Sequence, residues 1–192
     1  MDPKREPKRR NPAETRARIL AAAFDLFASK GYARTGIREI ALLANVASSL
    51  VVRYFGAKSA LFEEALISAI YTRGFFIHEK KDFGEAMARL VVQDEDARLP
   101  AAMILAIADQ ESLAIARKVT KRIALQSLKE WLDEPEAEAR ALNMLVLLNG
   151  FTIQTRHLMT GEIPPQSIRW LARSLQAIVD EGSEAKSVYC RS

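Results

Sequence analysis

The chain has 192 residues, 49% of them apolar, with eight glycines, seven prolines and a net charge of +4, enough for one domain or two small ones around a substantial core. No β-branched run alternates with period two, so the composition points to an all-α protein. The one cysteine, Cys190, lies in a polar tail, which excludes an internal disulfide and a cysteine metal cluster and fits a reducing, cytoplasmic setting.

The first residues are charged and contain proline without an apolar stretch, and read as no signal peptide. Residues 1–10 hold Lys4, Arg5, Lys8, Arg9 and Arg10 and are expected to form a disordered tail. Such a cluster either tracks a phosphate backbone or is simply solvated. The first helix is announced by Asn11 as N-cap, Pro12 in the first helical position and Glu14 in the third. Ile19, Leu20, Ala23, Phe24 and Phe27 make an apolar stripe at helical spacing, Gly31 closes the helix, and Tyr32 is expected to fold back on the stripe.

Two short patterns follow, Ile37 to Leu43 and Ser48 to Tyr54, divided at Asn45. Ile37, Ile40 and Ala41 share one face. Leu50, Val51 and Tyr54 repeat the spacing, which leaves Ser48, Ser49, Val52 and Arg53 for other faces. Asn tolerates positive φ better than other residues that carry a side-chain carbon, so the stretch reads as helix, tight turn, helix. That geometry places the start of the second helix in a DNA major groove, although two amphipathic helices around a polar turn also occur in domains that bind no DNA. Charge supports the DNA reading. Residues 1–66 hold 12 Lys/Arg against 7 Asp/Glu, and the remainder 16 against 17; without residues 1–12 the first third still holds 7 against 5.

Leu61, Phe62, Ala65, Leu66, Ala69 and Ile70 continue as a fourth helix, expected to end near Gly74 and the charged stretch 78–82 and to be the mechanical link to the second half. Five more helices are expected at 83–93, 98–108, 110–132, 135–160 and 165–181, about nine in all. Pro100, Pro135, Pro164 and Pro165 fit helix starts, Gly161 and Gly182 helix ends. Between Ala141 and Ile153 the eighth helix is apolar on nearly every face and must be buried on several sides. The run is too short to span a bilayer. Leu142, Leu145, Asn149, Ile153 and Arg156 form one row; Ile168, Leu171, Leu175 and Ile178 form a stripe on the last helix, with Trp170 off it. Two such helices from each of two subunits would close a four-helix interface in a homodimer. Met87, Met103, Leu105, Trp131, Met144, Phe151, Gln154 and His157 offer an adaptable lining for a small-molecule effector of unknown identity.

The stretch TRARILAAAFDLFASKGYARTGIREIALLANV, followed by LVVRYFGAKSALFEEAL, resembles the N-terminal domain of the TetR family of bacterial transcriptional regulators over about residues 15–66. The ILxxAxxLFxxxGY helix, the TxxxIA helix, a short recognition helix and YFxxKxxL occur in order. LPAAMILAIADQESLAIARKV and LLNGFTIQTRHL resemble one of the family's helical C-terminal domains. The resemblance implies a helix-turn-helix domain at 11–56 and a ligand-binding and dimerisation domain at 57–182, with a tail at 183–192. It implies that Thr35 caps the second helix and donates to a phosphate. Ser48, Ser49 and Arg53 would face bases or nearby phosphates, Leu50 and Val52 a thymine methyl, and Tyr54 and Lys58 the DNA backbone. Three positions depart from the pattern. Asn45 stands where Gly is usual, Ala47 where Ser is usual, so that Ser48 would cap one position later, and Tyr54 where His is frequent.

A dimeric, ligand-responsive repressor on a palindromic operator follows as the expected function, with no cofactor, no metal and no membrane. An enzyme is disfavoured because GxSxG, HExxH, P-loop and GxGxxG patterns are all lacking. An all-helical protein-protein interaction module is the alternative; it explains the apolar C-terminal helices and leaves the basic first third unexplained.

Overall fold

A computed structural model of the chain describes residues 11–72, 79–93, 97–159 and 161–189, with side chains described as far as Gly182. The expected basic tail, the end of the fourth helix and Cys190 lie outside the described residues. The helices are α1 Pro12–Lys30, α2 Ile37–Leu43, α3 Ser48–Phe55, α4 Lys58–Thr72, α5 Phe83–Gln93, α6 Arg98–Ala106, α7 Gln110–Val119, α8 Gln126–Leu132, α9 Ala137–Ile153 and α10 Pro165–Tyr189. A π-helical turn, Thr120–Leu125, joins α7 to α8 without a break, and a second, Gln154–Leu158, extends α9. The described residues therefore form nine continuous helices and no strand.

Local chemistry sets the first elements. Asn11 Oδ1 accepts from the Ala13 N–H at 3.1 Å, Pro12 opens α1, and Gly31 ends it at φ 80°. Asn45 takes φ 52° between α2 and α3, the left-handed conformation that Asn bears at low cost. Eight residues do not sustain a helix in water; α3 persists because Val51 and Phe55 are buried in the same cluster as Ile19, Leu20 and Ala23 of α1. Those two side chains contribute roughly 3–6 kcal/mol.

Two clusters of buried residues divide the molecule, and they do not divide it at α4. The first holds α1 to α4 together with Leu99, Ala102, Ala106, Ala116 and Val119 of α6 and α7. The expectation of α4 as the mechanical link is corrected accordingly: α6 lies on α1 and α7 on α4. Salt bridges flank both contacts, Arg98 to Asp25 at 2.5 Å and Lys118 to Glu63 at 2.7 Å.

The second cluster unites α5, α8, α9 and α10. Here α10 packs on α5 so closely that a methyl group on Gly84 would stand 2.1 Å from the Ala172 carbonyl oxygen. Gln176 closes the same contact, accepting from the Gly84 N–H at 3.0 Å and donating to the Lys80 carbonyl at 2.9 Å. Gly182, expected at a helix end, sits inside α10 instead. It leaves room for the buried Arg140 guanidinium, whose carbon and two terminal nitrogens would lie within 2.8 Å of an added methyl. Arg140 donates to the carbonyls of Ile178 and Val179 in α10 and of Asp133 and Pro135 before α9. A cation buried without a carboxylate is thus satisfied by four carbonyl dipoles, as burial of charge requires.

Replacing Gly84 by Ala is expected to lower stability by about 1–3 kcal/mol, because backbone rather than a mobile side chain stands in the way. Gly150→Ala, whose methyl would meet no atom within 4 Å, is expected to be neutral or to add up to ~1 kcal/mol. Urea unfolding at one protein concentration reads both, and equal midpoints would contradict the close contact.

Candidate nucleic-acid interface and inner cavity

The exposed side of α3 presents Ser49, Val52 and Arg53, with Ser48, Leu50 and Tyr54 half-buried. No side chain caps α3. Its N-cap is Ala47 and Ser48 is the first helical residue, so the expected capping by Ser48 is corrected: the small Ala47 terminates the turn without supplying an oxygen. Thr35 is likewise corrected. Gly36 holds the N-cap of α2, while Thr35 is 2% exposed and its hydroxyl donates inward to the Gly31 carbonyl at 2.8 Å. That bond closes the end of α1 and leaves the hydroxyl facing the protein interior.

Lys58 is also turned inward. Its Nζ donates to the Tyr32 carbonyl at 3.1 Å and lies 4.1 Å from the centre of the Tyr32 ring. Other cations occupy the outer face. Arg18 of α1 and Arg53 of α3 line one shallow concavity of about 600 Å³ together with Leu42, Asn45, Ser49 and Leu50. Arg18, Arg38 and Arg53 make no ion pair within the described residues, whereas Arg16 is paired with Glu64 and Lys30 with Glu39. Leu42, one turn beyond Arg38, is 81% exposed. Sequence reasoning passed over Arg18, Arg38 and Leu42, although their places off the apolar faces of α1 and α2 were a usable signal.

Behind this head lies an aromatic seam. Tyr32 stacks on Phe27 at 5.9 Å and tilts against Phe62 at 5.2 Å, and its hydroxyl donates to Glu111 of α7 at 2.8 Å. Burial, the Glu111 hydrogen bond and the nearby negative charges of Glu111 and Asp109 all raise the Tyr32 pKa, in that order. Asp109 caps α7 by accepting from the Ser112 N–H, a bond that holds its carboxyl below the ordinary range.

A partly open cavity of about 70 Å³ lies where the two clusters meet, between α4, α6, the π-turn and α9, lined by Ile70, Leu99, Met103, Thr120, Leu148 and Thr152 among others. Of the expected lining residues only Met103 belongs to it. Met87 and Met144 are wholly buried in the second core, Trp131 packs on Phe83 at 4.6 Å, Phe151 packs on the same core, and Gln154 is exposed. Leu105 lies beside Gly31, and His157 reaches the Ala97 carbonyl at 3.2 Å. The π-turn, which brings Thr120 and Ala124 to the cavity, has no signature in the sequence.

The expected dimer surface is also redistributed. Leu171, Leu175 and Ile178 are buried within the subunit, because Gly84 lets α5 take the stripe of α10 that a partner was expected to cover. Leu145 and Asn149 line the cavity, Ile168 packs on the second core, and Arg156 donates to the carbonyls of Val91 and Val92 at the end of α5. Leu142 and Ile153 remain exposed and half-buried, and Val146, at 62% exposure, and Trp170 join them as outward apolar residues.

Residues 19–65 match the model of bacterial regulatory proteins of the tetR family, and residues 81–179, more than half of the chain, match the tetracyclin repressor-like C-terminal domain. The chain belongs to the TetR family. This TetR-family chain is 52% identical over 48 residues to the HTH-type transcriptional repressor Rv3405c of Mycobacterium tuberculosis and equally to a transcriptional regulator of Mycobacterium bovis. Each match spans 25% of this chain and 26% of the relative. A solved TetR-family regulator from Streptomyces coelicolor A3 superposes with a TM-score of 0.55 at 26% identity, covering 90% of this chain and 99% of that one. A Rhodococcus structure of the same family shares the fold, with a TM-score of 0.68 at 17% identity over 88% and 98% of the two chains. Among the described residues no His, Cys, Asp and Glu cluster could hold a metal ion and no helix is long and apolar enough to cross a membrane.

The seam makes a spectroscopic prediction. A raised pKa means that the folded protein holds the Tyr32 proton more tightly than the unfolded chain, so this contribution to stability is full below about pH 10 and falls as pH rises beyond it. Of the four tyrosines, one is expected to stay un-ionised near pH 11 in ultraviolet titration of the folded protein. Tyr32→Phe should remove that late step, and an unchanged titration would contradict the seam.

Proposed function

We propose that the chain is a cytoplasmic, sequence-specific DNA-binding repressor that acts as a homodimer on a palindromic operator and releases it on binding a small molecule. The observation that carries this reading is the head. A short helix with Ser49, Val52 and Arg53 outward is held on a buried Val51 and Phe55, beside Arg18 and Arg38, which no described carboxylate neutralises. Arg53 and Ser49 have the donors that base edges require, and Val52 and Leu42 have the methyl groups that meet thymine. Arg18 and Arg38 take the phosphate contacts first expected of Thr35 and Lys58, with Ser48, Leu50 and Tyr54 at the margins of the contact.

The DNA-binding part is the unit at 11–56 and the part at 57–182 carries dimerisation and the effector. Leu142 and Val146, one turn apart on α9, with Ile153 and Trp170, are the face that a second subunit covers. Pairing through it sets two copies of α3 about one DNA turn apart. The cavity beside Ile70 of α4 is the effector site, and Ile70 belongs also to the core of the head, so filling the cavity bears on the spacing of the two heads.

Arg38→Ala is expected to weaken binding to every duplex alike and to reduce the salt slope by about one, while Arg53→Ala also relaxes preference at one base position. Fluorescence anisotropy between ~50 and 200 mM salt measures both, and absence of binding at the lower salt would leave a protein-interaction module. Val146→Asp places a charge in the apolar face and should convert dimer to monomer in analytical ultracentrifugation, with DNA affinity falling in parallel. A dimer unaffected by it would move the interface elsewhere.

A further inference from the structure

The cavity has a chemistry of its own. No charged side chain lines it; its polar residues are Thr120, Asn149 and Thr152 in a wall otherwise of Leu, Ile, Val, Met, Ala and Pro. The threonines there are exceptional within this molecule. Thr15, Thr35, Thr72 and Thr155 each donate to a carbonyl near by in sequence, the usual fate of a threonine hydroxyl in or beside a helix. Thr120, on the π-turn, and Thr152, on α9, are the two described threonines whose hydroxyls bond to no described residue. Thr152 is only 2% exposed and its hydroxyl has no partner among the described residues, so the donor and acceptor it offers at the cavity wall are open to whatever enters.

Resting on the reading of this cavity as the effector site, we infer that the effector is an uncharged, ring-sized apolar molecule bearing one oxygen function, an alcohol, phenol or ketone, held by the hydroxyls of Thr120 and Thr152. Size follows from volume. About 70 Å³ is several times the ~10–15 Å³ that one water needs, enough for one ring or a short chain. Charge follows from the lining: a carboxylate or ammonium would lose its hydration with no opposite charge to meet it. A molecule with no oxygen would leave both hydroxyls unmet. Entry is from the neighbouring open groove, which shares Met103, Thr120 and Asn149 with the cavity and is walled by Ile104, Ile107 and Leu113. The wide π-turn is what sets Thr120 at the junction of the two, in keeping with the frequent occurrence of such turns at functional sites.

The test compares benzyl alcohol, toluene, benzoate and benzylammonium at neutral pH by isothermal titration calorimetry and thermal shift on the full chain without DNA. Benzyl alcohol is expected to bind about tenfold or more tightly than either ion, and more tightly than toluene. Thr152→Val, nearly isosteric, should keep toluene binding and bring benzyl alcohol down to the toluene level. Thr155→Val, which breaks the bond to the Phe151 carbonyl outside the cavity lining, should leave the preference for the alcohol over toluene in place. Ala124→Phe fills the cavity and should abolish binding of both neutral compounds while the helical circular dichroism persists. Benzoate or benzylammonium binding as well as the alcohol, an alcohol preference that survives Thr152→Val, or no binding of any of the four overturns the inference. Because DNA takes no part, such a failure leaves the repressor reading standing, and failure of operator binding alone would leave the effector chemistry intact.

Discussion

Tyr32 is the point on which the two halves of this molecule depend. Its ring packs on Phe27 of α1 and Phe62 of α4, which also touch each other, its carbonyl and ring hold Lys58, and its hydroxyl reaches Glu111 at the start of α7. One side chain therefore belongs to the core of the N-terminal unit and contacts the first turn of a helix whose continuation, the π-turn, walls the cavity. The salt bridges beside it are solvent-exposed and worth little singly. The aromatic contacts, the buried Leu99, Ala102 and Ala106 and this one hydrogen bond supply most of what orients head against body. In the proposed homodimer, a head fixed in this way would have a defined spacing from its twin, the quantity a two-fold reader of DNA must control.

The same construction defines what an effector must do. On the proposed reading, a molecule in the cavity has no reach to α3 and would act by favouring one packing of α4, α6 and α7 over another. Moving such an equilibrium from almost all one state to almost all the other takes about 5.5 kcal/mol of differential binding. A cavity with two unmet hydroxyls and an apolar wall can supply a fraction of that from the hydroxyls and the rest from buried apolar surface. Ile70 is common to the cavity and the first core, which gives occupancy a direct contact with the helix that begins at Lys58.

What the sequence made legible was local. Asn11 with Pro12, Gly31, and Asn45 each impose a backbone conformation that few residues accept, so the boundaries of α1, α2 and α3 followed from single positions. The family resemblance added the order of those elements. What it obscured was reciprocal. Gly182 reads as a helix end until Arg140, 42 positions away in sequence, is seen to need the space. Gly84 likewise explains why Leu171, Leu175 and Ile178 face their own subunit, since an apolar stripe declares that it is covered without declaring by which chain. Met87 and Met144 had the right chemistry for a pocket and the wrong surroundings. Thr120 and Thr152 carried no sequence signal, because an unpaired hydroxyl is a property of its neighbours.

The most direct measurement on the whole construction is selection of bound duplexes from a random pool by the full chain. A dimer that presents two copies of α3 should enrich a palindrome whose half-sites lie about one helical turn, roughly 10 base pairs, apart. Enrichment of an unpaired half-site, or of no sequence at all, would contradict it.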